Sequence, residues 1–466
     1  MTIAFDNSYA RDLPGFYLDW QAAAAPAPRI LRLNRDLAGT LGLDAGALSA
    51  EFLVGNDLPP SAHPLAQAYA GHQFGGFSPQ LGDGRALLLG EVVQGARRHD
   101  IALKGSGRTP FSRGADGKAA LGPVLREYLM GEAMHALGIP TTRALAAVTT
   151  GETVYRDAGA LPGAVLVRVA SSHLRVGTFQ FFAARGEGDR VKKLADYAIA
   201  RHYPDLSGDY LGFFAAVADR QARLIAQWML VGFIHGVMNT DNMTISGETI
   251  DYGPCAFMEA YAPGTVFSSI DAQGRYAYRN QPMILGWNLA RLAETLLPLI
   301  DADDNRAIEK ATEVLEGVAG KYHDAWLEGM RRKLGLAGED EGDAALAEDF
   351  LKGIEGVDWT LAFRRLPRAI DAPHPVPGTK LSDWLPRWRA RLAPDAAQIM
   401  DAANPVYIPR NQRVEEALAA AQDENMQPFD DLLAAITQPF TEHKGWDRFA
   451  LPASDGFGPY RTFCGT

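Results

Sequence analysis

Two oxygen-bearing side chains in the middle of the chain, Asn242 and Asp251, have a spacing that suits a divalent metal ion. Between them, Ser246-Gly247 is typical of a two-residue turn that joins two short β-segments. In that register the two side chains lie opposite each other, with Cβ atoms about 4.5 to 5.5 Å apart. Because Mg²⁺ prefers oxygen ligands, the pattern predicts a magnesium site in a β-hairpin. The alternative is an ordinary solvated hairpin end.

Asp241 is the candidate proton acceptor, because this carboxylate directly precedes one of the two metal ligands. The segment resembles the catalytic part of protein kinases, in which a metal-binding Asn and an Asp-Phe-Gly motif follow a long buried helix. Here a helix is predicted over residues 211–235, and the motif is Asp251-Tyr252-Gly253. Where kinases place their base, the chain has Val237, which cannot accept a proton. The ordinary kinase reaction is therefore absent, or another carboxylate takes over.

Lys104 and Glu127 form the next candidate pair. The lysine ends a predicted strand, 101–104, and the glutamate lies in a predicted helix, 118–137. In this order they resemble the kinase lysine that grips nucleotide phosphates and the helical glutamate that orients it. Taken alone, each is more often a solvated surface charge. The turn Gly82-Asp83-Gly84-Arg85 lies where a kinase places its glycine-rich phosphate cover, although it lacks the full six-position pattern.

Several stretches together resemble the selenoprotein O family, also called YdiU, from about residue 5 to the C-terminus. They are Tyr69-Ala70-Gly71-His72-Gln73-Phe74-Gly75-Gly76-Phe77, Leu81-Gly82-Asp83-Gly84-Arg85, Ile139-Pro140-Thr141-Thr142-Arg143-Ala144-Leu145, His235-Gly236-Val237-Met238-Asn239-Thr240-Asp241-Asn242 and Asp251-Tyr252-Gly253-Pro254. The resemblance implies a kinase-fold pseudokinase that binds ATP in a flipped orientation and transfers AMP to protein hydroxyls. It also implies transfer of UMP from UTP, with Mg²⁺ or Mn²⁺ as the cofactor.

The resemblance implies a role for each matched site residue. It makes Gly82, Gly84, Arg85, Lys104, Asp116, Gly117, Arg168 and Arg175 nucleotide contacts, Glu127 the orienting partner of the lysine, Asp241 the proton acceptor, and Asn242 and Asp251 the metal ligands. For two of these assignments a purely structural role is an alternative. Arg168 also suits a salt bridge beside a strand, and Asp116-Gly117 suits a simple turn.

The same resemblance implies a redox-active residue at Cys464, which is selenocysteine in some members. Cys255 directly follows the metal-binding segment. A tail docked there would bring the two thiols together in a reversible disulfide that gates the site. The alternatives are a Cys255 buried as a small apolar residue and a Cys464 that reacts with an external partner.

The order of the predicted strands and helices indicates an α+β chain with a kinase-like two-lobe fold. Strands are predicted at 86–93, 101–104, 153–155 and 164–170, and helices at 118–137, 211–235, 288–297, 307–334, 344–354 and 414–421. The predicted parts are an N-terminal extension (1–60), a strand-rich lobe (61–170), a helical lobe with the catalytic loop and metal hairpin (171–300) and a helical region with a redox tail (301–466).

Composition excludes several other classes of protein. With 56 acidic and 45 basic residues the net charge is −11, which disfavours a broad nucleic-acid-binding face. Two cysteines exclude a thiolate zinc site and fit a reducing, cytoplasmic location. No secretory signal or membrane-spanning segment is expected, since the most apolar stretch, 224–238, is too short. The histidines His72, His173 and His235 are interpreted as structural or polar contacts.

The family resemblance therefore implies an enzyme that transfers AMP from ATP, or UMP from UTP, to Ser, Thr or Tyr hydroxyls of proteins, with pyrophosphate as the leaving group. The expected partners are these protein substrates and redox proteins, without nucleic acid or membrane. A conventional phosphotransferase and a non-catalytic nucleotide-binding scaffold remain as alternatives.

Overall fold

The computed structural model describes residues 3–157, 159–372 and 378–463. It has a mixed α+β architecture, with a large antiparallel sheet in the N-terminal part and mostly helices after residue 170. The α+β prediction is thereby confirmed at this level.

The strands lie mainly in the first third of the chain. They are β1 (Tyr17–Asp19), β2 (Arg29–Leu33), β3 (Leu65–Gln67), β4 (Gly71–Gln73), β5 (Gly76–Ser78), β6 (Ala86–Gln94), β7 (Arg97–Lys104), β8 (Ala119–Ala120), β9 (Arg143–Arg156), β10 (Gly159–Ala170), β11 (Phe233–Ile234) and β12 (Ala256–Phe257). The large sheet has the order β1-β3-β6-β7-β10-β9-β2, with β8 added beside β10. Two small ribbons, β4–β5 and β11–β12, stand apart from it.

The helices dominate the remainder of the chain. They are α1 (Ser8–Asp12), α2 (Arg35–Thr40), α3 (Ala50–Val54), α4 (Leu121–Ala136), α5 (Val176–Ala183), α6 (Gly188–His202), α7 (Tyr210–Leu230), α8 (Gln281–Ile300), α9 (Asp304–Leu334), α10 (Asp343–Gly353), α11 (Trp359–Arg364), α12 (Leu366–Ala369), α13 (Trp384–Ala390), α14 (Ala396–Ala403), α15 (Asn411–Gln422), α16 (Gln427–Ile436) and α17 (Asp447–Ala450).

Pairing in the sheet sets the direction of two cationic side chains. Lys104 on β7 lies opposite Leu166 on β10, and Arg168 on β10 lies opposite Ala102 on β7. Since alternate residues of a strand share a face, Lys104 and Arg168 point to the same side of the sheet. That side is covered by α4, which packs against β9 and β10. The register therefore brings both cations to the helix that carries Glu127.

The first 60 residues, predicted as an N-terminal extension, contribute two strands to the large sheet. Strand β1 forms one edge beside β3, and β2 forms the other edge beside β9. Buried residues of α2 and α3, such as Leu37 and Phe52, pack with Leu103 and Val167 on the face opposite α4. These residues thus support the strands that carry the two cations.

The predicted hairpin around Ser246-Gly247 is wrong. Neither of its arms is a strand, and their backbones bridge to other segments, Thr244 to Arg175 and Thr249 to Thr141. These partners come from segments that precede the predicted turn by many residues. The turn does not form a hairpin because segments that are distant in the sequence provide the hydrogen-bond partners of the backbone on both sides of it.

Among the described residues, one stretch, Tyr278–Ile300, is long and apolar enough to cross a membrane by length and composition. Of its most apolar window 44% is buried, and α8 packs against α7 and α9. Buried core helices pass the same test, so this stretch is weak evidence for a membrane span.

A buried lysine in α9 predicts a pH dependence of stability. Lys333 is 4% exposed, donates to Asn404 Oδ1 (2.8 Å) and lies 4.0 Å from the ring centroid of Phe363. Burial lowers the pKa of Lys333 from 10.5 to about 7. Between these values the unfolded chain binds more protons, so this group makes the free energy of unfolding rise with pH, by at most about 1.4 kcal/mol per pH unit. Below about pH 7 its full cost is present.

We expect Lys333→Met to be more stable than the wild type at pH 6.5 and to lose most of that advantage by pH 9.5. Denaturant unfolding at both pH values measures this, with the exposed Lys352→Met as the matched control. An advantage of equal size at both pH values would contradict the prediction.

Candidate functional site

A cleft of about 600 Å³ is lined by residues from both the sheet and the helical part. It brings together every described residue that the sequence predicts for nucleotide, base or metal roles: Gly82, Gly84, Arg85, Lys104, Asp116, Gly117, Glu127, Arg168, Arg175, Asp241, Asn242 and Asp251. What these residues bind stays a prediction, since the cleft shows only that they share one surface.

Asp251 lies at the centre of the charges in this cleft. Its Oδ1 accepts from Lys104 Nζ (2.6 Å) and Arg168 Nη1 (2.7 Å), and its Oδ2 accepts from Arg175 Nη1 (2.7 Å). Burial by itself would raise the pKa of Asp251, but the three cations outweigh it and hold that pKa well below its usual range. The backbone of Asp251 is left-handed, with φ of +61°.

Glu127 completes a buried cluster of charges. Its Oε2 accepts from Lys104 Nζ (2.6 Å), and its Oε1 accepts from Arg168 Nη1 (3.3 Å). The cluster of Lys104, Arg168, Arg175, Glu127 and Asp251 thus holds three positive and two negative charges. Three cationic side chains that converge in a cleft provide N–H donors for an anionic ligand such as a phosphate.

Asp241 has a different environment, although it lines the same cleft. It lies in the 3₁₀ turn Thr240–Asn242 and is 7% exposed. Its Oδ2 accepts from Gln73 Nε2 (3.2 Å), while its Oδ1 is buried without a described hydrogen-bond partner. Burial raises the pKa of Asp241 to about 6, against the opposing charge of Arg175. A carboxylate with this pKa is a stronger base than an exposed one.

Gly71 of β4 lies directly against this carboxylate. A Cβ at Gly71 would be 2.4 Å from Asp241 Oδ1, so only glycine fits there without displacing the side chain. The β4–β5 ribbon therefore sets the position of Asp241 through two neighbours, Gly71 and Gln73.

Asn242 lines the cleft with Asp251, although the predicted hairpin between them is not formed. Asn242 Nδ2 donates to Val237 O (2.9 Å), so its Oδ1 is the atom left to act as a ligand. Within the described ranges, no group of three or more His, Cys, Asp or Glu side chains is placed to hold a metal ion. A cation between Asn242 and Asp251 would therefore need further oxygen atoms from a bound ligand.

The turn at Gly82 and Gly84 requires glycine because Phe111 packs against it. Gly82 has φ of +70°, and a Cβ there would be 2.3 Å from the Phe111 ring. A Cβ at Gly84 would be 2.9 Å from Phe111 O. Thr109 Oγ1 donates to Asp83 O (2.5 Å), and Ser112 Oγ donates to Gly84 O. The backbone of this turn is thus fixed along one wall of the cleft.

The structure explains why an aspartate occupies position 116 and a glycine occupies position 117. Asp116 accepts from both Nη atoms of Arg156 (2.9 and 3.0 Å) and from Lys118 N (2.9 Å). Partial burial raises the pKa of Asp116, but the hydrogen bonds and charge of Arg156 outweigh this effect and lower that pKa. Gly117 has φ of +68°, and a Cβ there would be 2.1 Å from Gly107 O. The simple-turn alternative therefore accounts for both residues, which still line the cleft.

Several residues of the cleft were not predicted from the sequence. They are Tyr69, Gln73, Asp83, Arg156 and Asn239. The Tyr69 ring lies 4.6 Å from the Arg175 guanidinium carbon, and burial raises the pKa of Asp83 to about 6. Tyr69 and Gln73 belong to the 69–77 stretch that carries the family resemblance, and this resemblance was the only feature of the sequence that pointed to them as site residues.

Of the two cysteines, only Cys255 lies within the described residues. Cys255 is fully buried with a free thiol, and burial raises its pKa to about 11. Cys464 lies outside the described residues. The tail reaches the neighbouring segment, because Thr462 Oγ1 donates to Pro254 O (2.7 Å) and Pro254 lines the cleft. A redox role for Cys255 and Cys464 stays a prediction.

Comparison with known proteins identifies relatives over the whole chain. The family model described as "Protein adenylyltransferase SelO" matches residues 1–437. A "Protein nucleotidyltransferase YdiU" from Cereibacter sphaeroides is 68% identical over 481 residues, covering 100% of both chains. Proteins of the same description from Mycolicibacterium paratuberculosis (57% identical, covering 100% of this chain and 99% of the relative) and Chromobacterium violaceum (60% identical, 95% and 97%) are also similar.

Proposed function

The chain belongs to the SelO family of protein adenylyltransferases, and from this premise we propose that its cleft binds ATP and transfers AMP to a protein hydroxyl. The observation that carries the proposal is the pairing, in one cleft, of three cations, of which Arg168 and Arg175 are buried, with a separate buried carboxylate, Asp241. The cations suit a triphosphate, and Asp241 suits the proton of an attacking Ser, Thr or Tyr hydroxyl.

Nucleotide binding in this proposal depends on Lys104, Arg168 and Arg175. Their N–H groups converge in the cleft, so phosphate oxygens gain charge-assisted hydrogen bonds on entering it. The backbone at Gly82 and Gly84, which Phe111 fixes along one wall of the cleft, is proposed as a further nucleotide contact. Arg85, Asp116 and Gly117 line the same cleft and are proposed as further nucleotide contacts.

Asn242 and Asp251, which line the cleft together, are proposed to hold a hard divalent cation, Mg²⁺ or Mn²⁺, because amide and carboxylate oxygens are its preferred ligands. Such an ion would neutralise phosphate charge during the reaction. The low pKa of Asp251 keeps its carboxylate ionised for this purpose at neutral pH.

The reaction would proceed by attack of the protein hydroxyl oxygen on the α-phosphorus. Asp241 accepts the hydroxyl proton as the new oxygen–phosphorus bond forms, and the bond to the β-phosphate oxygen breaks. Pyrophosphate leaves with the electron pair of that bond, and Lys104, Arg168 and Arg175 stabilise its charge. Val237 lines the cleft and cannot serve as the base of a kinase-type transfer, which favours Asp241.

We also propose that the two parts of the molecule correspond to the lobes of a kinase-like fold. The order of the site residues supports this: a strand lysine, a helical glutamate that bonds to it, then an Asn and an Asp that follow a long helix. In this division residues 61–170 form the first lobe and 171–300 the second, with 1–60 and 301–466 added to them.

ATP labelled at either the α- or the γ-phosphate tests the proposed function. We expect α-label on protein substrates or on the enzyme itself, with release of labelled pyrophosphate from the γ-labelled compound. Protein-bound γ-label would show a conventional phosphotransferase, and no label from either compound would show a scaffold. UTP labelled at the α-phosphate, added in parallel, measures which nucleotide is preferred.

A further inference from the structure

Behind Arg168, away from the cleft, lies a buried chain of polar side chains that the proposed reaction does not use. Arg168 Nε donates to His173 Nε2 (3.2 Å), and His173 Nδ1 lies 2.8 Å from Asp100 Oδ2. These three side chains are between 1% and 4% exposed. The contacts run from the nucleotide cleft into the interior, where no substrate can reach.

The hydrogen bonds fix the tautomer of His173. Its Nε2 must be unprotonated, because it accepts from an arginine that is always a donor. Its Nδ1 therefore carries the hydrogen and donates to Asp100. Burial lowers the pKa of His173 to about 4, so the ring stays neutral and keeps this acceptor.

Asp100 is itself held in place from two sides. Its Oδ2 also accepts from the backbone N of His173 (2.9 Å), and its Oδ1 accepts from Arg201 Nη2 of α6 (2.6 Å). Arg201 donates further to Ser171 O through Nε (2.8 Å). The imidazole thus has one orientation, which is set by the sheet and by α6 together.

This anchoring has a consequence for the cleft. Arg168 Nη1 reaches both Glu127 Oε1 (3.3 Å) and Asp251 Oδ1 (2.7 Å) only for one rotation of the guanidinium plane. A guanidinium held at Nε from behind cannot turn about its long axis, so the remaining N–H groups keep their direction.

We propose that His173 is a positioning residue for nucleotidyl transfer, which acts by holding the guanidinium of Arg168 in the orientation that binds the nucleotide. The proposal rests on the proposed function, since it assigns Arg168 to the phosphates. The required property of His173 is a hydrogen-bond acceptor at the position of Nε2.

Two substitutions separate this property from simple packing. In His173→Asn the amide reaches the position of Nδ1, so it can still donate to Asp100 but offers Arg168 no acceptor. In His173→Gln the longer side chain places an oxygen near the position of Nε2, so the acceptor is restored. His202→Asn, in a neighbouring histidine that bonds to Ser172 Oγ (2.7 Å), is the matched control.

We expect His173→Asn to lower kcat/KM for ATP by about 10- to 100-fold, as when a group that orients a bound ligand is lost. His173→Gln is expected to stay within about threefold of the wild type, since the required acceptor returns. Calorimetric titration with MgATP is expected to follow the same order, with His202→Asn unchanged. Thermal unfolding of all four proteins shows whether stability follows that order.

The proposal is overturned if His173→Asn binds and turns over ATP like the wild type. It is also overturned if Asn and Gln lower activity equally and in proportion to their loss of stability, because that is the result of packing alone. If the wild type binds MgATP but transfers no label, the proposed function fails, while the binding order still tests the role of His173. If the wild type binds no MgATP, both fail.

Discussion

Asp251→Asn is expected to lose both nucleotide binding and AMP transfer, with kcat/KM lower by about 10³-fold or more. The carboxylate orients Lys104, Arg168 and Arg175 and is the anionic ligand of the proposed metal ion. Loss of one such electrostatic group costs about 2.7–4 kcal/mol of transition-state stabilisation, and loss of the metal ion adds to it. Each 1.4 kcal/mol corresponds to about tenfold in an equilibrium or rate constant. Asparagine keeps the size of the side chain and tolerates the left-handed backbone, so the change is confined to charge.

Transfer of α-label and calorimetric binding of MgATP measure this effect together. The control is Asp343→Asn, because Asp343 is a buried carboxylate that is likewise shared by arginines, Arg331 and Arg391, in the C-terminal helical region. That variant is expected to lose stability and to keep its affinity for MgATP. If Asp251→Asn and Asp343→Asn behave alike, Asp251 has only a structural role.

The contact between Lys104 and Glu127 illustrates what the sequence was able to predict. A strand that ends in lysine and precedes a mostly apolar helix gives few ways to pack, and the helix covers the face to which the lysine points. Segments with a clear period and clear ends, such as β6, α4 and α9, were predicted nearly at their observed bounds. Local physics determines these elements.

The segment between Asn242 and Asp251 shows where local reasoning failed. A two-residue turn was predicted from Ser246-Gly247, yet the flanking backbone pairs with Arg175 and Thr141. The two predicted ligands nevertheless line one cleft, because those distant partners place them there. A short sequence window contains no information on such partners.

The environment of Asp241 was also beyond prediction from the sequence. Gly71 and Gln73 lie about 170 residues before it, and no spacing rule joins them. The same holds for His173, which the sequence predicts only as a structural or polar contact, whereas the structure connects it to Arg168 and Asp100. Long-range contacts of this kind decide the pKa values and orientations on which catalysis depends.

Asp241→Asn is expected to separate chemistry from binding. Asparagine cannot accept the proton, so kcat for AMP transfer falls by about 10²- to 10⁴-fold, the usual contribution of a general base. Affinity for MgATP is expected to persist within a few-fold, because the cations of the cleft remain paired with Asp251 and Glu127. A variant with unchanged turnover would exclude Asp241 as the base.

The pH profile gives this assignment a second, independent test. The base must be ionised, so with the pKa of Asp241 at about 6, kcat is expected to rise about tenfold per pH unit below pH 6 and to level off above it. Arg175, Asp251 and Asp83 also act on this carboxylate or line its cleft, and burial gives Asp83 a similar pKa of about 6. If the acidic limb is absent from the residual activity of Asp241→Asn, Asp241 is its source. If the limb persists there and disappears in Asp83→Asn, the titrating group is Asp83, and the raised pKa of Asp241 does not control the rate.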